Sequence, residues 1–335
     1  MDKLIKKIRT EAEKSFFGVV YISKEGKPIY SEAFGYADIG NARKNRVNTK
    51  FAIASGTKFF TALGVGTLID AGKLTLDATI KDIFGKDFSF IHPRATVAQL
   101  LTHSSGIWDY YDEDSDIDPE NYTVAIPWSQ LSTPMNYMPL FEGKKCKYYP
   151  GERFSYSNGG YIFLGMIIER VAMMLYREYI KQYVFNAAGM RYSNYYAFNQ
   201  LPGNTACGYK SNGETNIYNL PIRGGSDGGA YTTAGDLSNL WKAFLKNKIL
   251  SENLTREFLT PHITVEDPVK YSYGLYVSQF DGGNMYYFVG GDAGVGFDSR
   301  YIPDKDLQIT IISNISDGEE KIRDVIYTNL GEIDS

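Results

Sequence analysis

The chain has 335 residues, of which 43% are hydrophobic, enough to bury a sizeable core and, at ~150 residues per domain, to build about two domains. Its net charge of -4, with no basic run beyond the short Lys144-Lys145-x-Lys147, argues against nucleic acid as the main partner. Two cysteines (Cys146, Cys207) and three scattered histidines (His92, His103, His262) offer neither a disulfide framework nor a ligand-like spacing, so no metal and no cofactor is expected.

The N-terminus carries Lys3, Lys6, Lys7 and Arg9, but Thr10, Glu11 and Glu13 interrupt any apolar run, so it reads as an amphipathic helix and not as a secretory signal. A cytoplasmic location is favoured unless an export signal has been removed, and whether the two cysteines pair stays open. Phe17 to Ser23 alternates as a strand, Lys24-Glu25-Gly26-Lys27 turns, and Pro28 to Tyr36 returns as its partner. The strand-like Phe51 to Ala54 then runs into Ser55-Gly56-Thr57-Lys58 and a helix over Thr57 to Ala71, closed by Gly72.

The middle of the chain reads as helices and loops: Thr96 to Thr102, a long apolar helix over Gly160 to Tyr183, and Ala234 to Lys246. The acid-rich Asp109 to Asn121, beside Tyr110 and Tyr111, reads as a solvated surface loop, with a lid over a site as the second reading. The longest apolar run, Tyr161 to Ile168, falls far short of the ~20 residues that span a bilayer, so no membrane span is expected. Ser272 to Gln279, Asn284 to Val289, Phe297 to Ile302 and Leu307 to Ser313 read as strands, and a last helix starts near Glu319.

Strands at both ends with helices outside them predict an α+β sandwich. Its antiparallel five-stranded sheet is built from both termini and flanked by helices, with a mostly helical lobe inserted. The predicted division is 1–75 with 225–335 for the sheet-and-helix domain and 76–224 for the helical lobe, with the active site between them.

Ser55 and Lys58 carry the first chemistry. On a helix, residues i and i+3 share a face, so the amine can reach the hydroxyl, and a serine needs such a base to become a nucleophile. At a helix start its own N–H also points outward, ready for a developing oxyanion. Tyr156-Ser157-Asn158, between Pro150-Gly151-Glu152 and Gly159-Gly160, places a phenol and an amide two residues apart in a tight loop: one can move protons, the other hold a carbonyl. Ser-x-x-Lys alone is equally compatible with a helix cap beside a surface lysine, and Tyr192-Ser193-Asn194 and Tyr327-Thr328-Asn329 share the second pattern.

These motifs, with Leu100-Leu101-Thr102-His103-Ser104-Ser105-Gly106-Ile107, Phe34-Gly35-Tyr36-Ala37-Asp38, Gly72-Lys73-Leu74-x-Leu76-Asp77 and Gly228-Gly229-x-Tyr231-Thr232-Thr233-Ala234, make the chain resemble the penicillin-recognising serine hydrolases: class C beta-lactamases, D,D-peptidases and related esterases. The resemblance runs nearly end to end and implies a beta-lactamase/transpeptidase-like fold. It implies that Ser55 attacks and is acylated, Lys58 takes its proton, Tyr156 assists the leaving group, and Asn158 orients Lys58 and the substrate carbonyl. His103 and Ser105 are expected to be structural. The family's third motif, a strand with Lys-Thr-Gly or His-x-Gly, corresponds here to Val289-Gly290-Gly291-Asp292-Ala293-Gly294 without any basic residue. Gly291, Asp292, Ala293 and Gly294 become the substrate and oxyanion wall. The missing cation puts carboxylate recognition in doubt, and Asp292 disfavours anionic substrates further unless Arg300 or Arg223 folds over it.

The function expected is a beta-lactamase-related serine hydrolase, esterase- or amidase-like, acting on a small-molecule ester, amide or beta-lactam. A true beta-lactamase or D,D-carboxypeptidase and a non-catalytic ligand sensor are the alternatives. A third reading takes Gly224-Gly225-Ser226-Asp227-Gly228 as a nucleophile elbow with Asp236 and His262. Its context is wrong, because Leu220-Pro221-Ile222-Arg223 makes a poor leading strand and Gly228-Gly229 prolongs the loop where a helix should begin.

Overall fold

A computed structural model of the chain describes residues 1–115 and 117–333; Asp116, within the acid-rich segment, lies outside the described residues. The elements that position the site are α1 (Asp2–Ser15), α2 (Thr57–Asp70), α3 (Val97–Leu101), α4 (Asn158–Ala172), α5 (Ala234–Leu245) and α6 (Glu320–Thr328). The main sheet contains β1 (Gly18–Lys24), β2 (Lys27–Phe34), β3 (Ile263–Glu266), β4 (Val269–Tyr271), β5 (Tyr276–Phe280), β6 (Gly283–Asp292), β7 (Val295–Ile302) and β8 (Leu307–Ser313).

The sheet is antiparallel, in the order β2-β1-β8-β7-β6-β5-β4-β3, and both ends of the chain contribute to it, as expected. It has eight strands instead of five. Two of the extra strands, β3 and β4, lie at one end of the sheet on either side of Asp267-Pro268, and a proline inside so short a run conceals them.

Period-two alternation divides the sheet between two cores. Val20, Ile22, Ile309 and Ile311 face Leu4 and Ile8 of α1 and Ile322 and Ile326 of α6. Val19, Phe288, Phe297 and Ile312 belong to the opposite core, with Phe59 of α2 and Trp241 and Phe244 of α5. Because both faces are covered, β8 is buried along its whole length.

The long apolar helix does not form as one piece. It stops at Ala172, Met173 takes a left-handed conformation (φ 52°), and a second helix resumes at Tyr176, bent by 79° from the first. Glu169 Oε1 accepts from the Tyr176 N–H at 2.9 Å, so a side chain replaces the broken ladder. No Gly or Pro marks this break, which is why composition reads it as continuous. Among the described residues no single helix is long and apolar enough to cross a membrane.

Candidate active site

Ser55 sits in a single 3-10 turn, Ala54–Gly56, immediately before α2. Ala54 adopts φ 42°, a costly conformation for a residue with a Cβ, and its neighbours hold it there. The Gly229 N–H donates to Ala54 O at 3.2 Å, the Ile53 N–H to Ala230 O at 3.0 Å, and the Ala230 N–H to Thr57 Oγ1 at 2.9 Å. The Gly228-Gly229 segment thus acts as a brace for the serine turn. From the other side β6 presses close: a Cβ on Gly290 would lie 2.2 Å from Ile53 O and 2.9 Å from the Ser55 nitrogen.

Lys58, on the first turn of α2, is only 2% exposed. Its Nζ lies 2.8 Å from Ser55 Oγ, 2.7 Å from Asn158 Oδ1 and 2.7 Å from the main-chain oxygen of Asp227. Two of these three partners are carbonyl oxygens, which only accept, and the third is a hydroxyl, which can also donate. A neutral amine has two N–H groups and one lone pair. A charged ammonium donates to all three; the neutral amine satisfies the cage in one way: N–H to Asn158, N–H to Asp227, and the lone pair receiving the Ser55 proton. Burial pushes the Lys58 amine below its ordinary range, and the carboxylates of Asp227, Glu113, Asp109 and Asp292 pull it back toward the charged form.

Tyr156 lies in the loop before α4. Its ring stacks on His103 at 4.3 Å and passes 4.8 Å from Lys58 Nζ, and its hydroxyl turns toward Ser55. Burial holds the phenol well above its usual range, so it is a proton donor. His103 is structural, as expected: it is buried, pushed far toward the neutral form by desolvation, and its Nδ1 accepts from the Ser157 N–H at 3.0 Å.

Asn158 opens α4, where its N–H and that of Gly159 donate to Asp109 Oδ2 and Oδ1 at 2.7 and 2.9 Å. Burial raises Asp109 to about 7, while these N–H bonds and the helix N-terminus favour its charge. The Asn158 carboxamide departs from expectation in one respect. Its Nδ2 is occupied by Tyr111 O (2.9 Å) and Glu113 Oε1 (3.0 Å), so it orients Lys58 but has no N–H free for a substrate carbonyl.

Gly291 and Asp292, at the end of β6, line the same cleft as Ser55. Ala293 and Gly294 do not. They form the turn into β7, the Ala293 carbonyl accepting from Asn216 Nδ2 at 2.8 Å and the Gly294 N–H donating to Ser316 Oγ at 2.9 Å. The Ala293 N–H donates to Asp292 Oδ1 at 2.9 Å, so neither residue has an N–H left for an oxyanion. Among the described residues no lysine, arginine or histidine lines the cleft on either side of Ser55, Lys58 lying buried behind the serine. Arg300 is committed elsewhere, clamping Asp298 with Nε and an Nη at 2.9 and 2.7 Å and stacking over Tyr287, and Arg223 is not among the lining residues. On one side of Ser55 the wall carries Trp128, Tyr137, Tyr196, Phe198 and Ile222, on the other Asp118, Glu120 and Asp317, and the carboxylates of Glu113 and Asp292 face both.

Sequence reasoning overlooked Asp227, Tyr110 and Glu113. Asp227 is buried, holds Lys58 through its main chain and receives the Tyr110 hydroxyl on its side chain. In the acid-rich segment Tyr111 and Glu113 line the cleft, and Glu120 Oε1 accepts from Ser211 Oγ at 2.6 Å and Ser316 Oγ at 2.5 Å. The elbow reading fails. Ser226 is wholly buried, Asp236 accepts from Ser193 Oγ, and His262 stacks on Tyr273.

A partly exposed serine on a cleft, with a buried lysine within hydrogen-bond reach behind it, is the arrangement that a serine hydrolase of the acyl-enzyme class requires. The chain belongs to the Beta-lactamase family, whose model matches residues 1–330. It is similar to the crystal structure of a penicillin-binding protein from Bacillus halodurans, at 38% identity and a TM-score of 0.91, covering 96% of this chain and 99% of that one. It is 31% identical over 205 residues to Protein flp of Staphylococcus aureus (strain MW2), covering 60% of this chain and 39% of that protein. It is 31% identical over 209 residues to Penicillin-binding protein 4* of Bacillus subtilis (strain 168), covering 62% and 44%. The matches thus span about two fifths of the length of these curated relatives.

Proposed function

We propose that this chain hydrolyses neutral or positively charged esters or amides through an acyl-enzyme on Ser55, in a cleft between the sheet-and-helix part and the helical lobe. The observation that carries this reading is the Lys58 cage, which a neutral amine satisfies only with its lone pair on the Ser55 proton. In acylation the Ser55 O–H bond breaks toward Lys58 Nζ while Oγ bonds the substrate carbonyl carbon. The carbonyl π pair moves onto oxygen, where the Ser55 N–H and an N–H of Gly291 or Asp292 are the donors at hand. Collapse expels the leaving group, which takes a proton from Tyr156 or, through it, from Lys58; water then repeats the sequence to free Ser55.

The test is serine-directed labelling. A fluorophosphonate adds one mass increment to the wild type and none to Ser55→Ala, and p-nitrophenyl butyrate turnover follows the same pattern. Labelling that persists in Ser55→Ala overturns the assignment. Labelling that depends on Ser55 would also dispose of a non-catalytic sensor, which has no use for a buried base beside a reactive hydroxyl.

Substrate charge follows from the acidic wall. Burial raises Asp292 to about 7, so this wall gains negative charge as pH rises through neutrality. The preference for an ester bearing a free ammonium over one bearing a carboxylate is therefore expected to grow between pH 6 and 8. Asp292→Asn is expected to lower that ratio roughly tenfold, about 1.4 kcal/mol, and to flatten its pH dependence. Nitrocefin hydrolysed much faster than short-chain esters, or stable acylation of Ser55 by a fluorescent penicillin, would favour the beta-lactamase or D,D-peptidase alternative.

A further inference from the structure

We propose that Glu113 is a positioning residue for the Lys58 base, acting through the Asn158 carboxamide and held in place by a clamp on Lys147. This rests on the hydrolase reading above and adds a fourth member to its chain of contacts. Ser55 Oγ, Lys58 Nζ, the two ends of the Asn158 carboxamide and Glu113 Oε1 follow one another at 2.8, 2.7 and 3.0 Å. A carboxamide can sit either way round, and its neighbours decide. Tyr111 O and the Glu113 carboxylate are both acceptors, so they demand Nδ2 on their side and leave Oδ1 toward Lys58. Turned the other way, Asn158 would offer N–H groups to Lys58 and compete for the lone pair that Ser55 needs.

Glu113 itself is exposed to the cleft, so something must aim it. Its two neighbours supply the aim. Lys147 Nζ bonds both carboxylate oxygens of Asp112, at 2.9 and 2.8 Å, and lies 3.7 Å from Asp114, whose Oδ2 also accepts from Ser155 Oγ at 2.7 Å. Residues 112 and 114 are thus fixed on Lys147 and Ser155, and the carboxylate between them meets Asn158 Nδ2. Ser155 directly precedes Tyr156, so the same clamp ties the acid-rich segment to the loop that carries the phenol.

Glu113 also places a carboxylate one carboxamide away from the amine. Asp227, Asp109 and Asp292 act in the same sense, while burial and the neutral His103 give the opposite or no charge. Replacing Glu113 by Gln keeps the acceptor but removes its charge, so Lys58 should lose its proton more readily.

The experiment follows the Lys58 titration and turnover together, in the wild type, Glu113→Gln, Glu113→Ala and Lys147→Met. NMR of 13Cε-lysine-labelled protein, with the Lys58 signal assigned from Lys58→Met, reads the amine whether or not a substrate is turned over. It therefore separates failure of this proposal from failure of the hydrolase reading. Glu113→Gln is expected to shift the Lys58 titration, and with it the acidic limb of kcat/KM for p-nitrophenyl butyrate, to lower pH. Glu113→Ala and Lys147→Met are expected to cut kcat about tenfold with little change in KM, because both release Asn158. An unmoved Lys58 titration in Glu113→Gln, or wild-type kcat in Glu113→Ala, overturns the proposal. So does a loss confined to KM, which would make Glu113 a substrate contact instead.

Discussion

Lys58→Met is expected to lower kcat/KM for a neutral ester by about 10³-fold, within the 10²–10⁴-fold that a positioned general base contributes. The unbranched apolar side chain fills much of the same buried space beside α2, so circular dichroism and the unfolding midpoint should change little. The wild type should lose activity as pH falls and Lys58 takes up a proton, and the midpoint of that acidic limb should lie below the ordinary lysine range because burial disfavours the charge. In Lys58→Met the limb should vanish, leaving a low and nearly pH-independent rate. Lys58→Arg separates basicity from charge. A guanidinium keeps its proton at every accessible pH, so if the lysine acts as a base, Arg should be as inactive as Met. Arginine retaining more than a tenth of wild-type activity would mean that position 58 supplies a positive charge to the oxyanion and that the serine proton leaves by another route.

The parts of this site legible in the sequence are those fixed by local spacing. Ser55 and Lys58 are one turn apart, and Tyr156 and Asn158 flank a helix cap, so their proximity follows from backbone geometry. The central strands were likewise recognisable, since β1 and β8 are short runs rich in Val, Ile, Tyr and Thr, and the sheet buries them on both faces. What eluded the sequence depends on contacts between distant segments. Asp227 enters through its main-chain carbonyl, 169 residues from Lys58, and a carbonyl oxygen has no sequence signature. Ala293 and Gly294 looked like cleft residues because they follow Gly291-Asp292. Whether a strand ends or continues there was decided by Asn216 and Ser316, far away in the chain. The break at Met173 was hidden for the same reason: Glu169 caps the next helix through a side chain that reads as an ordinary surface acid.

The second large effect concerns a residue with no chemistry of its own. Gly290→Ala is expected to reduce kcat about 10²-fold, the loss that a misplacement of ~1 Å can cause at a reacting centre. The added Cβ would meet Ile53 O at 2.2 Å, Gly56 N at 2.8 Å and Ser55 N at 2.9 Å, all main-chain atoms that no rotamer change can withdraw. Either β6 or the serine turn must retreat. The strand is fixed by Gly290 pairing with Phe297, and the turn by Ala230 and Gly229, so the strain falls on the spacing between Ser55 N–H and the end of β6. That spacing sets where two donors meet an oxyanion. Overpacking of this kind costs about 1–3 kcal/mol, which lowers the unfolding midpoint by several degrees without abolishing the fold. Gly291→Ala is the matched control: the nearest atom to its Cβ is Asp317 Oδ1, at 3.9 Å, so the same methyl one residue along finds open space. If both substitutions reduce kcat equally, the methyl acts by crowding the substrate. A loss confined to position 290, with fluorophosphonate labelling of Ser55 slowed in parallel, places the effect on the nucleophile's own geometry, because that reagent also develops negative charge on an oxygen facing these donors.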